Sequence, residues 1–217
     1  MRCLFPALCK FLCLPAMVCL CLVATAAYAS NPAAEARDTL KLSLDTVFTM
    51  LSDPEYQNPD NREIMYERIE DVVESIFDYE EFSARTVGKR WHSFTPDQQK
   101  RFTAAFADLL RATYIERIRG YDGKGAQYVG ERMSTKGDKV EVRTLLDLDG
   151  KSIPIDYRMA IKEKWVIYDV IVEGVSLVKN YRTQFQELLS DKDDAETLIT
   201  RVANRAGEVR SQNNATK

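Results

Sequence analysis

Side chains able to act as nucleophiles, proton shuttles or metal ligands are scarce in this sequence and poorly grouped. His92 is the single histidine, and all five cysteines (Cys3, Cys9, Cys13, Cys19 and Cys21) precede residue 22. Beyond that point a Cys–His pair, most Ser–His–Asp arrangements and a zinc site of ordinary ligand type lack their parts. His92 follows Trp91 in a short stretch between two predicted helices and reads as a half-exposed loop residue. No phosphate-cradling or dinucleotide-binding glycine loop occurs; "GYDGKG", Gly120 to Gly125, reads as a helix stop and a connection. Carboxylates pair as Glu80/Glu81 and Asp193/Asp194. Sequence neighbours point apart on a helix, so these are poor acid–base couples and read as caps and solvated surface. Asp169 is different, because it lies in the apolar run "WVIYDVIV". A buried carboxylate needs a partner, and a structural pairing with a basic residue such as Arg182 is expected. The chemistry-bearing residues therefore imply no enzyme, no metal and no cofactor.

The first 29 residues are expected to leave the folded chain. Arg2 and Lys10 give a positive start, Phe11 to Ala29 carry no charge, and Ala27-Tyr28-Ala29 has the small-x-small form of a signal-peptidase site. Cleavage there makes Ser30 the first mature residue and places the protein in a periplasm. Pro15 interrupts the apolar run, which argues against an uncleaved membrane anchor. No leader cysteine follows the small residues of a lipoprotein site. The exported chain keeps 28 of the 30 basic and all 33 acidic side chains, a net charge of −5. A mildly acidic body has no electrostatic reason to seek nucleic acid or an anionic membrane.

Helices come first, then strands, then helices. Leu40, Leu44, Val47, Phe48 and Leu51 share one face of a first helix, which "SDPEYQNPDN" interrupts. Asp60 with Glu63 forms a capping box for a second helix that buries Met65, Ile69, Val72, Val73 and Ile76. Asp78 with Glu81 starts a short third helix that ends at Gly88. In "FTPDQQKRFTAAFADLLRATY", Thr95 is the cap, Pro96 the first-turn proline and Gln98 the reciprocal partner. Phe102, Ala105, Phe106, Leu109, Leu110, Thr113 and Tyr114 then form one wide apolar stripe.

The period next changes to two. Ala126–Ser134, Lys139–Leu148, Ser152–Lys162 and Lys164–Glu173 read as four strands of an antiparallel meander joined by short turns. In the last of them Val166, Tyr168, Val170 and Val172 are expected on one face, and Trp165, Ile167 and Ile171 on the other. Ser176 can cap a helix carrying Leu177, Val178, Tyr181, Phe185, Leu188 and Leu189. A final helix starts near Asp193 with Glu196 in its box, and residues 208–217 read as a disordered tail. The class is α+β: N-terminal helices, a four-stranded twisted antiparallel sheet and C-terminal helices, in one domain over 30–207. Apolar surface is plentiful, and it fits either a solid core sandwiched by helices or a cavity for an apolar ligand.

The segments "FTPDQQKRFTAAFADLLRATY" and "WVIYDVIVEGVSLVKNYRTQF" resemble the MlaC family, also called the toluene-tolerance auxiliary family, of periplasmic phospholipid-binding proteins. The resemblance follows the element order from about Ala33 to Ala206. It implies a cone-shaped fold of the nuclear-transport-factor-like kind, with a deep apolar pocket that takes the acyl chains of a phospholipid. It also implies a soluble shuttle between an outer-membrane lipoprotein complex and an inner-membrane ABC transporter that carries an MCE-domain protein. A related branch is associated with hopanoid lipids. On this reading Phe102, Phe106, Leu109, Leu110, Tyr114, Tyr157, Val170, Val172 and Val175 are the expected pocket residues. The alternatives are an envelope-assembly factor with a solid core and an enzyme on the same fold, for which the residues on hand are the wrong ones.

Overall fold

The computed structural model describes residues 31–119, 121, 124–148, 150–188 and 194–215. The leader, residues 1–29, lies outside them, as do Asp193 and Leu189.

Local signals start each N-terminal helix. Helix α1, Pro32–Ser52, opens on Asn31, whose carboxamide oxygen accepts from the Ala33 amide at 3.1 Å. After a 3₁₀ turn at Pro54–Gln57, helix α2 spans Pro59–Ile76. It begins earlier than the Asp60–Glu63 box suggests. Asn58 is the cap, accepting from the Asp60 amide at 3.1 Å, because Pro59 is preorganised for the first helical position and needs no amide partner. Helix α3, Tyr79–Val87, is capped by Asp78 through the Glu81 amide, as read from the sequence. A second 3₁₀ turn, Gly88–Ser93, buries Trp91 and leaves His92 exposed. Helix α4, Pro96–Arg119, carries the full reciprocal box: Gln98 amide to Thr95 Oγ1 at 3.2 Å and Thr95 amide to Gln98 Oε1 at 2.9 Å.

Five strands follow in the order β1 (Ala126–Met133), β2 (Lys139–Leu148), β3 (Lys151–Ile161), β4 (Trp165–Val172) and β5 (Val175–Ser176). The fifth is an addition to the four expected from the sequence. Glu173 and Gly174 both have positive φ, 50° and 83°, as a tight two-residue hairpin of primed type requires. Val175 and Ser176 thereby fold back on Val172 and Ile171. A strand of two residues is too short for its period to show in a sequence.

The face assignment within β4 is corrected by the pairing. Arg158 of β3 opposes Asp169, yet the next residue, Met159, opposes Ile167, so Tyr168 is one residue too many and forms a bulge. Alternation is reset there. Trp165 and Ile167 before the bulge, and Val170 after it, pack into the same apolar cluster against α1. The opposite face is ionic, not apolar: Arg132–Glu141 at 2.8 Å, Glu141–Arg158 at 3.0 Å and Arg158–Asp169 at 3.0 Å run across four strands. An antiparallel sheet with one solvated face has this character.

Asp169 has the partner it needs, but that partner is Arg158 and not Arg182. The carboxylate, 2 % exposed, also accepts from Ser176 Oγ at 2.7 Å and from the Val178 amide at 3.0 Å. It therefore fixes the start of helix α5, Leu177–Leu188, where Ser176 Oγ accepts in turn from the Lys179 amide. Arg182 instead donates to the Arg85 carbonyl at 2.8 Å and 2.5 Å. The bulge sets Arg158 directly across the strand from Asp169, where a guanidinium reaches without strain.

Helix α6, Ala195–Ala215, lies along α4 and begins on Asp194, which accepts from the Thr197 amide at 2.9 Å. The tail expected over 208–217 is thus helical through Ala215, and Asn213 Nδ2 donates to the Ala112 carbonyl at 2.8 Å. Polar residues hid this helix end from a hydrophobic-period reading. One core, built from α3, α4, α5 and α6, centres on the rings of Phe82, Phe102, Phe106, Tyr181 and Phe185. Two smaller clusters join α1 to the sheet and α1 to α2.

Asp169→Ala should lower the free energy of unfolding by about 3 kcal/mol, since three donors lose their acceptor and one is a guanidinium. Urea unfolding in a double-mutant cycle is the check. Asp169 and Arg158 should couple by more than about 1 kcal/mol, and Asp169 and Arg182 by less than about 0.5 kcal/mol. The reverse order would contradict the assigned pairing.

Candidate functional site

Between the apolar face of the sheet and the N-terminal helices lies a cavity of about 410 Å³. Leu40, Leu44, Phe48 and Leu51 of α1 form one wall, and Ile69, Val73 and Ile76 of α2 a second. Leu110, Tyr114 and Ile118 of α4 close a third, and Leu146, Ile155, Ile167, Val170 and Val172 make the floor. Close-packed interiors hold few voids larger than a water molecule, whereas small-molecule sites run from about 300 to 1,000 Å³. Its size falls within the range of small-molecule sites, and its lining is apolar.

The few polar groups in the wall are mostly engaged, some with nearby backbone carbonyls and some with charged neighbours. Ser43 Oγ donates to the Thr39 carbonyl at 3.3 Å, and the Tyr121 hydroxyl donates to the Gly125 carbonyl at 2.8 Å. Arg111 of α4 pairs with Asp108 at 2.7 Å and reaches across to α2, where it pairs with Glu74 and, at 3.8 Å, with Glu70. Tyr79 lies against the same guanidinium. Burial pushes the Glu70 carboxyl above its usual range; Arg111 opposes that push, and Glu74, Glu63 and Glu67 add to it. Among the described residues, no group of three or more His, Cys, Asp or Glu side chains is placed to hold a metal ion. Among the same residues, no helix is long and apolar enough to cross a membrane.

Five residues singled out from the sequence meet in this wall: Leu110, Tyr114, Tyr157, Val170 and Val172. Four do not. Phe102, Phe106 and Leu109 point to the other side of α4 and pack in the helical core. Val175, on β5, is 57 % exposed. The stripe on α4 is wide because it serves two neighbours. Position 118 faces the cavity, 110 and 114 border both the cavity and the helical core, and 102, 106 and 109 belong to the core facing α5 and α6. The walls supplied by α1 and α2 were recognisable as buried faces, but apolar side chains look the same in a sequence whether they meet a core or a void. Ile167 was assigned to the wrong face because the bulge is invisible without the pairing.

The MlaC protein family model matches residues 41–204. The chain belongs to the MlaC family. A curated MlaC relative, the binding protein of the intermembrane phospholipid transport system of Haemophilus influenzae, is 22 % identical over 130 residues. That alignment takes in 58 % of this chain, and the chain spans about 60 % of the relative's length. Among solved structures, a phospholipid-binding protein from Ralstonia solanacearum in complex with a phospholipid superposes with a TM-score of 0.71. It is 22 % identical, and the match covers 81 % of this chain and 98 % of that one. The MlaC-type fold, helices at both ends of a single antiparallel sheet, is therefore common to both.

Glu70 offers a test of the wall's electrostatics. Its folded-state pKa is raised, so the carboxyl favours folding only below its unfolded pKa, and that favour is lost as pH rises through the folded value. Glu70→Gln should therefore melt slightly above wild type at pH 7.5, and the difference should close on acidification below about pH 4.5. Thermal unfolding across that range is the measurement, and a lower melting temperature for Glu70→Gln at pH 7.5 would contradict the wall described here.

Proposed function

We propose that the protein is a non-catalytic phospholipid carrier of the periplasm, which holds acyl chains in the cavity between sheet and helices. The observation that carries this reading is the cavity itself: about 410 Å³, walled almost wholly by aliphatic and aromatic side chains, in a member of the MlaC family. The names of its relatives support it, one as a binding protein of intermembrane phospholipid transport and one as a protein in complex with a phospholipid. The leader-like residues 1–29 support export, with cleavage after Ala29.

The energetics suit a carrier. Burying one CH₂ is worth about 0.8 kcal/mol, so a dozen methylenes supply roughly 10 kcal/mol before the cost of ordering the chain. No charged anchor is then needed, and phospholipids of different headgroup can share one site. The mildly acidic body favours release from an anionic membrane surface over retention. In this reading the carrier exchanges lipid with an outer-membrane lipoprotein complex and with an inner-membrane ABC transporter bearing an MCE-domain protein. The acyl-chain wall includes Leu110, Tyr114, Tyr157, Val170 and Val172.

Gently purified protein, extracted with organic solvent, should yield glycerophospholipid of mixed headgroup by mass spectrometry. Less than a small fraction of one lipid per chain would overturn the carrier reading, and hopanoid in its place would change the cargo.

Substitutions on the two sides of α4 separate cavity from core. On delipidated protein, Leu110→Trp and Val170→Trp should keep a melting temperature near that of wild type and lose lipid binding, because the added bulk fills cavity space. Phe106→Ala should cost about 3–5 kcal/mol of stability, with lipid still bound by the folded fraction. Equal lipid binding by wild type and both tryptophan variants would show that the acyl chains lie elsewhere.

A further inference from the structure

Tyr157 sits in the middle of the sheet, opposite Val142 on one neighbour and Val170 on the other, and forms part of the cavity wall. The residue is 8 % exposed, yet among the described residues nothing bonds its hydroxyl. The other polar groups of the wall differ in this respect. Ser43 and Tyr121 spend their hydroxyls on backbone carbonyls, and Arg111 is held among Glu70, Glu74 and Asp108. Tyr79 lies against Arg111, and Tyr114 is engaged as well. Tyr128, near Tyr157, also has a buried and unbonded hydroxyl, but Tyr128 is not part of the cavity lining, whereas Tyr157 is. A buried donor with no acceptor is costly, and buried phenols normally find a partner.

We propose that the Tyr157 hydroxyl donates a hydrogen bond to the ester carbonyl of an acyl chain and so selects ester-linked lipids over ether-linked or purely hydrocarbon ones. The inference rests on the carrier reading. An ester carbonyl is a neutral acceptor that must itself be buried when the chain enters an apolar cavity, so donor and acceptor satisfy each other. A phosphate fits worse, because among the described residues the guanidinium in the wall, Arg111, faces three carboxylates, and none of those residues places a cation beside the phenol to offset a buried charge. Burial pushes the Tyr157 phenol far above its usual range, which keeps the proton on oxygen at any physiological pH. The ester lies where chain joins glycerol, so the same contact would fix how deep the lipid sits.

The test uses delipidated wild type and Tyr157→Phe with two probes: a diacyl phosphatidylcholine and the dialkyl-ether analogue of the same chain length and headgroup. Wild type should bind the diester about fivefold more tightly than the diether, the ratio a single neutral hydrogen bond gives. Tyr157→Phe should bind both alike, at the affinity wild type shows for the diether. With ¹³C-labelled ester carbonyls, the bound C=O stretch should lie at lower wavenumber in wild type than in Tyr157→Phe. A retained diester preference in Tyr157→Phe overturns the inference and leaves the carrier reading intact, as does equal binding of the two probes by wild type. Failure of wild type to bind either probe overturns both. Since no partner is stranded by the change, Tyr157→Phe should melt at or above wild type, and a marked loss of stability would show the hydroxyl to be structural.

Discussion

One extra residue in β4 governs much of this structure. Because Tyr168 has no partner on β3, Ile167 before it and Val170 and Val172 after it all face the helices of the N-terminal half. Without the bulge, strict alternation would send either Ile167 or the two valines to the ionic side, and the floor of the cavity would be broken. The same irregularity sets Asp169 against Arg158, where it also receives Ser176 Oγ and the Val178 amide. Floor and helix start are thus fixed by a single register shift, and the tight turn at Glu173–Gly174 returns the chain in time to meet that carboxylate.

Helix α4 divides the molecule into a solid half and a hollow half. On one side its phenylalanines interlock with Phe82, Tyr181 and Phe185, rings 4.9–5.7 Å apart. On the other, Leu110, Tyr114 and Ile118 border open space. Only a well-anchored helix can serve as the wall of a void, because the void side contributes no packing of its own. The anchoring is visible at both ends of the neighbouring α6: Arg101 meets Glu196 near the start of α4, and Asn213 meets Ala112 further along it.

Much of this was legible beforehand, and the pattern of what was not is physical. The Thr95–Gln98 box, the Asp78 cap and the Ser176 cap are local events, set by residues three apart, and a sequence displays them directly. The bulge at Tyr168 depends on a neighbour in another strand, so the faces of β4 and the partner of Asp169 were misread together. Helix α6 was cut short because its last turns are polar and are held by a hydrogen bond to α4 and not by an apolar face. The candidate wall was half found. Leu110 and Tyr114 reach the cavity and Phe106 does not, although positions four apart differ by only about 40° round the helix, a step that matters only once the two neighbours of the helix are known.

The size of the cavity has a thermodynamic side. An enclosed dry void costs roughly 24 cal/mol per Å³ in lost cohesion; the space here opens to solvent, so about 10 kcal/mol for all 410 Å³ is the upper bound for the part kept from water. That equals the whole net stability of an ordinary domain. A protein of this design is therefore incomplete as a solid: whatever fills the space is part of its folding free energy, and walls left without contents gain by drawing together. In the proposed carrier, loading and unloading would then be changes of shape as much as changes of occupancy.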